Sequence, residues 1–245
     1  MKQSIKFGLI GKNISYSFSK KFFEKKFQKL FLPHYSYDIF DLNDIQEVNT
    51  LFQNKALRGL NVTIPFKEKV IPYLDILSEE AEKIGAVNTI LLKDGIKKGF
   101  NTDAIGFEKT LLIHKKEHHQ NALILGNGGA AKAVQYVLEK YGIDYKTVSR
   151  NGKLNFENLT EELVKESPLI IQCTPVGTYP NTEEFLNFPF SGLTDQHLVI
   201  DLIYNPEYTA FLKRSADEGA KTVNGFYMLE QQAEKAWEIW NFQKK

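Results

Sequence analysis

The sequence holds a single cysteine, Cys173, in 245 residues. A lone thiol builds neither a disulfide framework nor a zinc site, and at the end of an apolar run it reads as packing rather than as a nucleophile. Arginine is almost as scarce. Arg58, Arg150 and Arg214 are the three in the chain, so lysine supplies nearly all the positive charge. The formal net charge is +1, which leaves no global attraction to nucleic acid or to an acidic surface. No apolar run approaches the length of about 18 residues that a membrane span needs, so no membrane partner is expected. Residues 1–11 are too charged for a signal peptide, and the expected location is the cytoplasm. Repeats and low-complexity tracts are lacking as well.

What is present is an ordinary globular mixture, 42% hydrophobic and 25% charged, enough for one large domain or two modest ones. The pairs Lys20-Lys21 and Lys25-Lys26, interleaved with Phe and Glu, read as solvated faces of helices. The apolar run over 5–10, closed by Gly11, predicts a strand. Ser19 is placed to cap a helix carrying Phe22, Phe23, Phe27 and Leu30 at helical spacing. A strand over 35–40, a helix over 44–54 and a strand over 59–64 stopped by Pro65 follow. Then come a helix over 78–84 and a strand over 87–92 that ends at the Asp94-Gly95 turn. This alternation describes one α/β unit.

A second unit starts after Gly99. Asn101-Thr102-Asp103 caps a helix to about His114, and a strand over 122–125 runs into Gly126-Asn127-Gly128-Gly129-Ala130-Ala131, which opens a helix to about Lys140. Further strands are expected over 145–149, 169–172 and 198–201, apolar enough for parallel strands buried on both faces. A last helix follows Gly225, with Met228, Leu229, Ala233, Ala236, Trp237 and Trp240; its docking site is not legible from periodicity.

The strand, glycine loop and helix match G-x-G-x-x-A through Gly126, Gly128 and Ala131. Gly126 suits the tight turn, Gly128 lets backbone approach a pyrophosphate, and Ala131 lets the helix pack close to the sheet. The free N–H groups at the helix start then face the phosphates. The next strand ends Val148-Ser149-Arg150-Asn151 with no acid to hold a ribose 2′-hydroxyl, while Arg150 can clamp a 2′-phosphate. The expected cofactor is NADP.

Three polar clusters sit at expected strand ends: Asn61, Thr63 and Lys67 around Pro65-Phe66, then Asn88-Thr89, then Asn101-Thr102-Asp103. Each could serve a turn or a cap, or could hydrogen-bond a polyhydroxylated ligand. In full, Asn61-Val62-Thr63-Ile64-Pro65-Phe66-Lys67 resembles the N-V-T-x-P-x-K motif of the shikimate dehydrogenases. Gly85-Ala86-Val87-Asn88-Thr89 is similar to that family's G-A-V-N-T, and Asn101-Thr102-Asp103-Ala104-Ile105-Gly106 to its N-T-D-x-x-G. Asp201-Leu202-Ile203-Tyr204-Asn205-Pro206 resembles D-x-x-Y-x-P, and Gly225-Phe226-Tyr227-Met228-Leu229 with Gln232 and Ala233 resembles G-x-x-M-L-x-x-Q-A. The motifs keep the family's order from Gly11 to Ala233.

The resemblance implies an α/β chain in two parts: a substrate-binding and catalytic domain over 1–102, with the helix 225–245 packed back on it, and a Rossmann-type NADP domain over 103–224. It implies reversible NADPH-dependent reduction of 3-dehydroshikimate to shikimate, on the way to aromatic amino acids, with Lys67 and Asp103 as the catalytic pair. An ammonium can stabilise the alkoxide that develops as hydride reaches a ketone, and can supply its proton; a neighbouring carboxylate orients it. Ser17 and Ser19 match the S-x-S that holds the substrate carboxylate. Asn61, Thr63, Asn88, Asp103 and Gln232 would take ring hydroxyls, and Tyr204 would line the site. Gly126, Asn127, Gly128, Gly129 and Ala130 would hold the pyrophosphate side of the cofactor, Ser149, Arg150 and Asn151 its 2′-phosphate side and Thr174 its nicotinamide side, with Gly225 also against the cofactor.

The chain departs from the family where G-x-P-I-x-H-S-x-S-P becomes Gly11-Lys12-Asn13-Ile14-Ser15-Tyr16-Ser17-Phe18-Ser19-Lys20. On the cofactor side Ser149-Arg150-Asn151 stands for N-R-T, which keeps the arginine. His114, His118 and His119 lie in a stretch rich in Lys and Glu and read as a solvated linker, so no metal is expected. The partners expected are small molecules, with room for a homodimer. Two alternatives stay open at this point: a relative that also takes quinate or prefers NAD, and a non-catalytic sensor of cofactor or metabolite. The paired serines, Arg150 and the intact Lys67–Asp103 pair weigh toward the NADP-dependent shikimate enzyme.

Overall fold

The computed structural model describes residues 4–14 and 17–241; Tyr16, one of the departures from the family pattern, lies outside the described residues. The fold is α/β and divides into two compact units, Met1–Thr102 with Ala233–Lys245, and Asp103–Gln232.

In the first unit β1 (Ile5–Gly11) leads through α1 (Phe18–Lys29) to β2 (Tyr35–Asp41), and α2 (Val48–Phe52) leads to β3 (Leu57–Val62). Then come β4 (Ile76–Leu77), α3 (Glu79–Ile84) and the hairpin of β5 (Thr89–Lys93) and β6 (Ile96–Phe100). Among the described residues the sheet order is β2-β1-β3-β5-β6-β4. The half β2-β1-β3 is parallel, as the alternation implies. The other half is not: β5 runs antiparallel to both β3 and β6. The reversal needs two left-handed residues, and Asp94 and Gly95 supply them with φ of 52° and 79°.

Several local expectations shift. The cap of α1 is Ser17, two residues ahead of Ser19, because Ser17 holds the extended backbone of a cap and its Oγ accepts the Ser19 N–H. Ser19 is buried in the first turn. Leu30 terminates the helix exposed instead of extending its apolar stripe. Lys26 is not solvated. Its ammonium lies 5.7 Å from the Trp237 ring and pairs with Glu234, so its stem covers an aromatic surface. The helix expected over 44–54 is a 3-10 turn, Ile45–Glu47, closed by an Asp44–Glu47 capping box and followed by the short α2. Asn54 ends it by accepting the Ala56 N–H. The strand expected over 59–64 stops at Val62, because Thr63 turns the chain by accepting the Phe66 N–H across a cis Ile64-Pro65 bond.

The second unit begins with α4 (Asp103–His114) and continues through β7 (Asn121–Leu125), α5 (Gly129–Lys140), β8 (Asp144–Val148), α6 (Glu161–Lys165) and β9 (Leu169–Gln172). β10 (Leu198–Asp201), α7 (Ala210–Asp217), β11 (Lys221–Val223) and α8 (Phe226–Asn241) complete the chain. Every strand pair here is parallel, in the order β11-β10-β9-β7-β8. The direction of winding therefore reverses between β7 and β9, the position where open α/β sheets receive ligands. α6, α7 and β11 are too short or too polar to stand out in the sequence.

The last turns of α8 belong to the first unit and show what periodicity hid. Trp240 stacks on Phe7 at 4.8 Å between centroids and donates its indole N–H to the Ile90 carbonyl at 2.9 Å. A Cβ at Gly59 would come within 2.1 Å of that indole nitrogen, so glycine on β3 makes the seat.

His119 is a correction to the solvated-linker reading, since the ring is buried. Both nitrogens are satisfied: Nδ1 accepts the Lys116 N–H at 2.8 Å, and Nε2 faces the Gln196 carbonyl at 3.2 Å. Only the neutral ring accepts at one nitrogen and donates at the other. Burial lowers its pKa, with His118, Lys116 and His197 adding to the effect against the opposing Gln196 bond. The unfolded chain thus binds this proton more readily than the folded one, and stability falls as pH drops below about 6.5. In melting curves from pH 7.5 to 5, taken at intervals of about half a unit, His119→Gln should lose less stability on acidification than the wild type. Parallel losses would show that His119 carries none of the acid sensitivity.

Candidate active site

In the first unit topology gathers the polar clusters at one end of the sheet. β1 and β3 are parallel, so the loops after Gly11 and after Val62 leave from the same edge. β5 pairs Thr89 opposite Asn61 and opposite Phe100, which brings Asn88 and the Asn101-Thr102 segment to that edge too. Ser17, Thr63 and Lys67 are half-buried there; Asn61, Asn88 and Thr102 are buried.

The buried amides form one network. Asn88 Nδ2 donates to Thr102 Oγ1 at 2.9 Å, and Asn88 Oδ1 accepts the Thr102 N–H at 2.6 Å. Asn61 Nδ2 donates to the Asn88 carbonyl at 3.3 Å and to Thr89 Oγ1 at 3.2 Å, while Asn61 Oδ1 accepts the Tyr37 hydroxyl at 2.7 Å. Both amide hydrogens of Asn61 are therefore spent on protein acceptors, and one Oδ1 lone pair is what it has left for a ligand. Asn101 Nδ2 donates to the Ala86 carbonyl, and the Lys67 carbonyl accepts the Val87 N–H at 2.8 Å, tying the loop after β3 to the segment before β5.

The departures after Gly11 have a physical account. Asn13 has φ of 58°, and its N–H donates to Asp41 Oδ1 at 2.8 Å. Proline, fixed near −65° and without an N–H, could do neither. The loop has traded a rigid residue for a left-handed one anchored by Asp41.

In the second unit Asp103 is the buried first residue of α4. One turn on, a Cβ at Gly106 would sit 2.5 Å from the Met228 carbonyl oxygen and 3.3 Å from Gln232 Cβ. Glycine here lets α8 press against α4, which brings Gln232 to the face that carries Asp103.

The C-terminal edge of the parallel sheet holds the remaining groups. Gly126 follows β7 with φ of 113°, and a Cβ there would meet Thr174 Cγ2 at 3.1 Å, so this turn and the turn after β9 lie side by side. Gly128 caps α5 in extended backbone, and a Cβ there would meet nothing within 4 Å. After β8 the Ser149 N–H is held by the Leu154 carbonyl, with Ser149 buried and Arg150 and Asn151 exposed. After β9 Gln172 accepts the Thr174 N–H, fixing that turn. Tyr204, half-buried, follows β10 in a loop pinned twice. Asp201 accepts the Ile203 N–H at 3.0 Å and the Thr209 hydroxyl at 2.7 Å, and Gly225 donates its N–H to the Ile203 carbonyl where any Cβ would strike the Leu202 oxygen at 2.1 Å. Among the described residues no group of three or more His, Cys, Asp or Glu could hold a metal ion.

Sequence reasoning missed Tyr37, Asp41, Gln172 and Asp201 as participants. A polar residue closing an apolar run marks Gln172 and Asp201. Tyr37 gave no signal, because an aromatic at an inward strand position reads as core.

The residues 9–90 match the family model described as the shikimate dehydrogenase substrate binding domain. The NADP(+) shikimate dehydrogenase of Clostridium perfringens strain SM101 is 40% identical over 96% of this chain and 92% of that protein, and that of Methanosphaera stadtmanae is 38% identical over 95% and 89%. The crystal structure of shikimate dehydrogenase from Aquifex aeolicus superposes with a TM-score of 0.88 at 33% identity, covering 98% of this chain and 94% of that one. The Thermus thermophilus enzyme in complex with NADP(H) and shikimate gives 0.86 at 30% identity, covering 97% and 93%.

Asp201 carries a testable consequence. Burial pushes its carboxyl up to about 6 from an ordinary 3.8, against the lowering effect of the Thr209 and Ile203 bonds. The folded chain keeps this proton while the unfolded chain releases it, so this group costs stability as pH rises through that window, by up to about 3 kcal/mol. Asp201→Asn removes the cost. Urea midpoints between pH 4 and 7 should show the variant gaining on the wild type as pH rises toward 6. A difference that stays constant with pH would mean that Asp201 does not titrate there.

Proposed function

The chain belongs to the shikimate dehydrogenase family, and from that premise we propose that it catalyses the reversible NADPH-dependent reduction of 3-dehydroshikimate to shikimate, an oxidoreductase reaction at a CH–OH carbon in aromatic amino acid biosynthesis. What supports the reading above all is that the family's motifs, 61 to 67 and 85 to 102 in the first unit and 126 to 225 in the second, fall at the sheet edge where each unit presents its ligand-facing loops.

The cofactor loop fits a dinucleotide on its own packing. Gly126 needs glycine for its left-handed backbone and for Thr174, whereas nothing in the protein demands glycine at Gly128; close approach of a pyrophosphate does. The start of α5 offers N–H groups to the same phosphates through Gly129 and Ala130, with Asn127 in the turn. Arg150 is exposed, has no acidic neighbour at the end of β8, and suits a 2′-phosphate between Ser149 and Asn151. Thr174 serves the nicotinamide side, and Gly225 also lies against the cofactor. NADPH supplies the hydride when bound.

The remaining chemistry belongs to the chain. Ser17 and Ser19 hold the substrate carboxylate. Thr63, Asn88, Asp103 and Gln232 take ring hydroxyls, with Asn61 holding Asn88 and Thr89 behind them, and Tyr204 lines the site. The Lys67 ammonium stabilises the oxygen that gains charge as the ketone carbon is reduced and passes it a proton. Asp103, the buried first residue of α4, is the carboxylate assigned to the catalytic pair. No helix among the described residues is long and apolar enough to cross a membrane, and the reading puts the reaction in the cytoplasm, carried by one copy or by a homodimer.

Purified protein mixed with shikimate and NADP should develop the absorbance band of reduced nicotinamide; quinate with NAD is the comparison arm. Lys67→Ala should lower kcat by about 10²-fold or more with NADPH binding nearly intact. A full-rate Lys67→Ala enzyme would remove this lysine from the mechanism. Arg150→Ala should raise the KM for NADP about tenfold or more and leave that for NAD almost unchanged, since only the 2′-phosphate is lost as a partner. Equal effects on both cofactors would refute the assignment.

A further inference from the structure

Asp41 ends β2, outside every motif described above, and it holds the loop where this chain departs from the family pattern. The parallel pairing of β1 and β2 closes with Gly11 opposite Asp41, and Leu42 donates its N–H to the Gly11 carbonyl at 2.9 Å. Past that rung the side chain of Asp41 continues the contact, its Oδ1 accepting the Asn13 N–H at 2.8 Å. Asn13 is left-handed there, with φ of 58°, a conformation that asparagine tolerates better than most residues. Lys12, between the two, donates from its ammonium to the Asn43 carbonyl at 3.3 Å. The end of β2 thus holds Gly11, Lys12 and Asn13 in turn.

The same stretch supports the turn after β3. Lys12 donates its N–H to the Ile64 carbonyl at 3.2 Å, and Thr63 donates its own to the Ile10 carbonyl at 2.9 Å. A Cβ at Gly11 would come within 2.5 Å of Thr63 Cγ2 and 2.7 Å of Ile14 Cγ2, so this stretch lies against the Thr63 side chain. On the other flank Val62 donates to the Asn88 carbonyl and Val87 to the Lys67 carbonyl, both at 2.8 Å. The segment that carries Thr63 and Lys67 is therefore braced on one side by the segment around Asn88 and on the other by the loop after β1. Asp41, itself exposed, acts on that segment through Asn13 and Lys12.

We propose that Asp41 is a positioning residue of the substrate site: by accepting the Asn13 N–H it sets the loop after β1 where Lys12 can hold Ile64, and so fixes where Thr63 and Lys67 meet the substrate. This rests on the reading of Thr63 and Lys67 given above. The proline of the family pattern stiffens the same place within the chain, through a fixed φ and without an N–H to donate. Here the stiffness comes from a partner on another strand, through a bond that the carboxylate charge strengthens. Without that partner a left-handed residue other than glycine relaxes toward negative φ, which withdraws the Lys12 N–H from Ile64.

The test compares Asp41→Ala with Asp41→Asn. In Asp41→Ala kcat/KM for shikimate should fall about tenfold or more, with the KM for NADP unchanged. Asp41→Asn keeps an oxygen that accepts the Asn13 N–H and should stay within about threefold of the wild type. If Asp41→Ala keeps its full kcat/KM, even with a lowered melting temperature, Asp41 is merely structural and the proposal is overturned. If Asp41→Asn is as impaired as Asp41→Ala, the charge matters and not the bond, which overturns it as well. A second measurement reads the linkage itself, as amide hydrogen exchange without ligand. Asp41→Ala should speed exchange at both Asn13 and Lys12, and Asp41→Asn at neither. Faster exchange at Asn13 alone would show that the Lys12–Ile64 bond stands without Asp41, and the proposal would fall. A wild type that does not oxidise shikimate at all would sink the functional reading, and the proposal with it, whatever the amides report.

Discussion

A buried amide must find partners or cost roughly 1 to 3 kcal/mol, and the first unit is organised around meeting that demand at one sheet edge. Asn88 is the clearest case. Its side chain takes both the N–H and the hydroxyl neighbourhood of Thr102, so the end of β6 has one place to sit relative to the start of β5. Asn61 repeats the device one strand over, taking the Asn88 carbonyl and Thr89 with one half of its amide and Tyr37 with the other. The edge is rigid because every one of these groups is satisfied by another member of the same set.

The second unit reaches comparable rigidity by a different route, through glycines that permit close approach. Gly106 admits the backbone of α8 to α4, Gly225 admits Leu202, and Gly126 admits Thr174. At Gly106 and Gly225 a Cβ would collide with protein, and at Gly126 the positive φ disfavours any side chain, so these glycines are explained by folding alone. Gly128 fails that explanation, since a Cβ there would touch nothing. The contrast sets these three apart from Gly128, where the proposed approach of a pyrophosphate is what calls for glycine.

Much of this was legible in the sequence because the determinants are local. The strand-loop-helix around Gly126 is a contiguous pattern, and strands 122–125, 169–172 and 198–201 are apolar runs that only a sheet buried on both faces would tolerate. The strand expected over 87–92 is β5, but its antiparallel partner β6 does not stand out despite the visible Asp94-Gly95 turn, because Ile96–Phe100 carries two lysines and alternates weakly. Two serines flank Phe18 and either satisfies the rule for a cap, so the sequence alone does not place the α1 cap at Ser17. His119 was read as solvated from its charged neighbours, while its burial depends on the Gln196 carbonyl, 77 positions away. Tyr37 was silent for the same reason: what makes it polar machinery instead of core is Asn61, on another strand.

Ionisable groups in this chain sort by what they must meet. Tyr37 and His119 are buried in neutral form, each with its hydrogen-bonding capacity directed at protein atoms. Asp201 is buried at the limit where its charge becomes costly, and it anchors the Tyr204 loop through two donors. The cations proposed for ligands behave otherwise: Lys67 is half-buried and Arg150 exposed. An exposed guanidinium such as that of Arg150 meets an incoming anion with its hydration still in place, whereas desolvating it beforehand would cost several kcal/mol. A group that only orients its neighbours gains from burial, since water competes with each of its bonds. Depth of burial does not by itself separate these roles, since Asn88, Asp103 and Gln232, proposed to meet the substrate, are buried too.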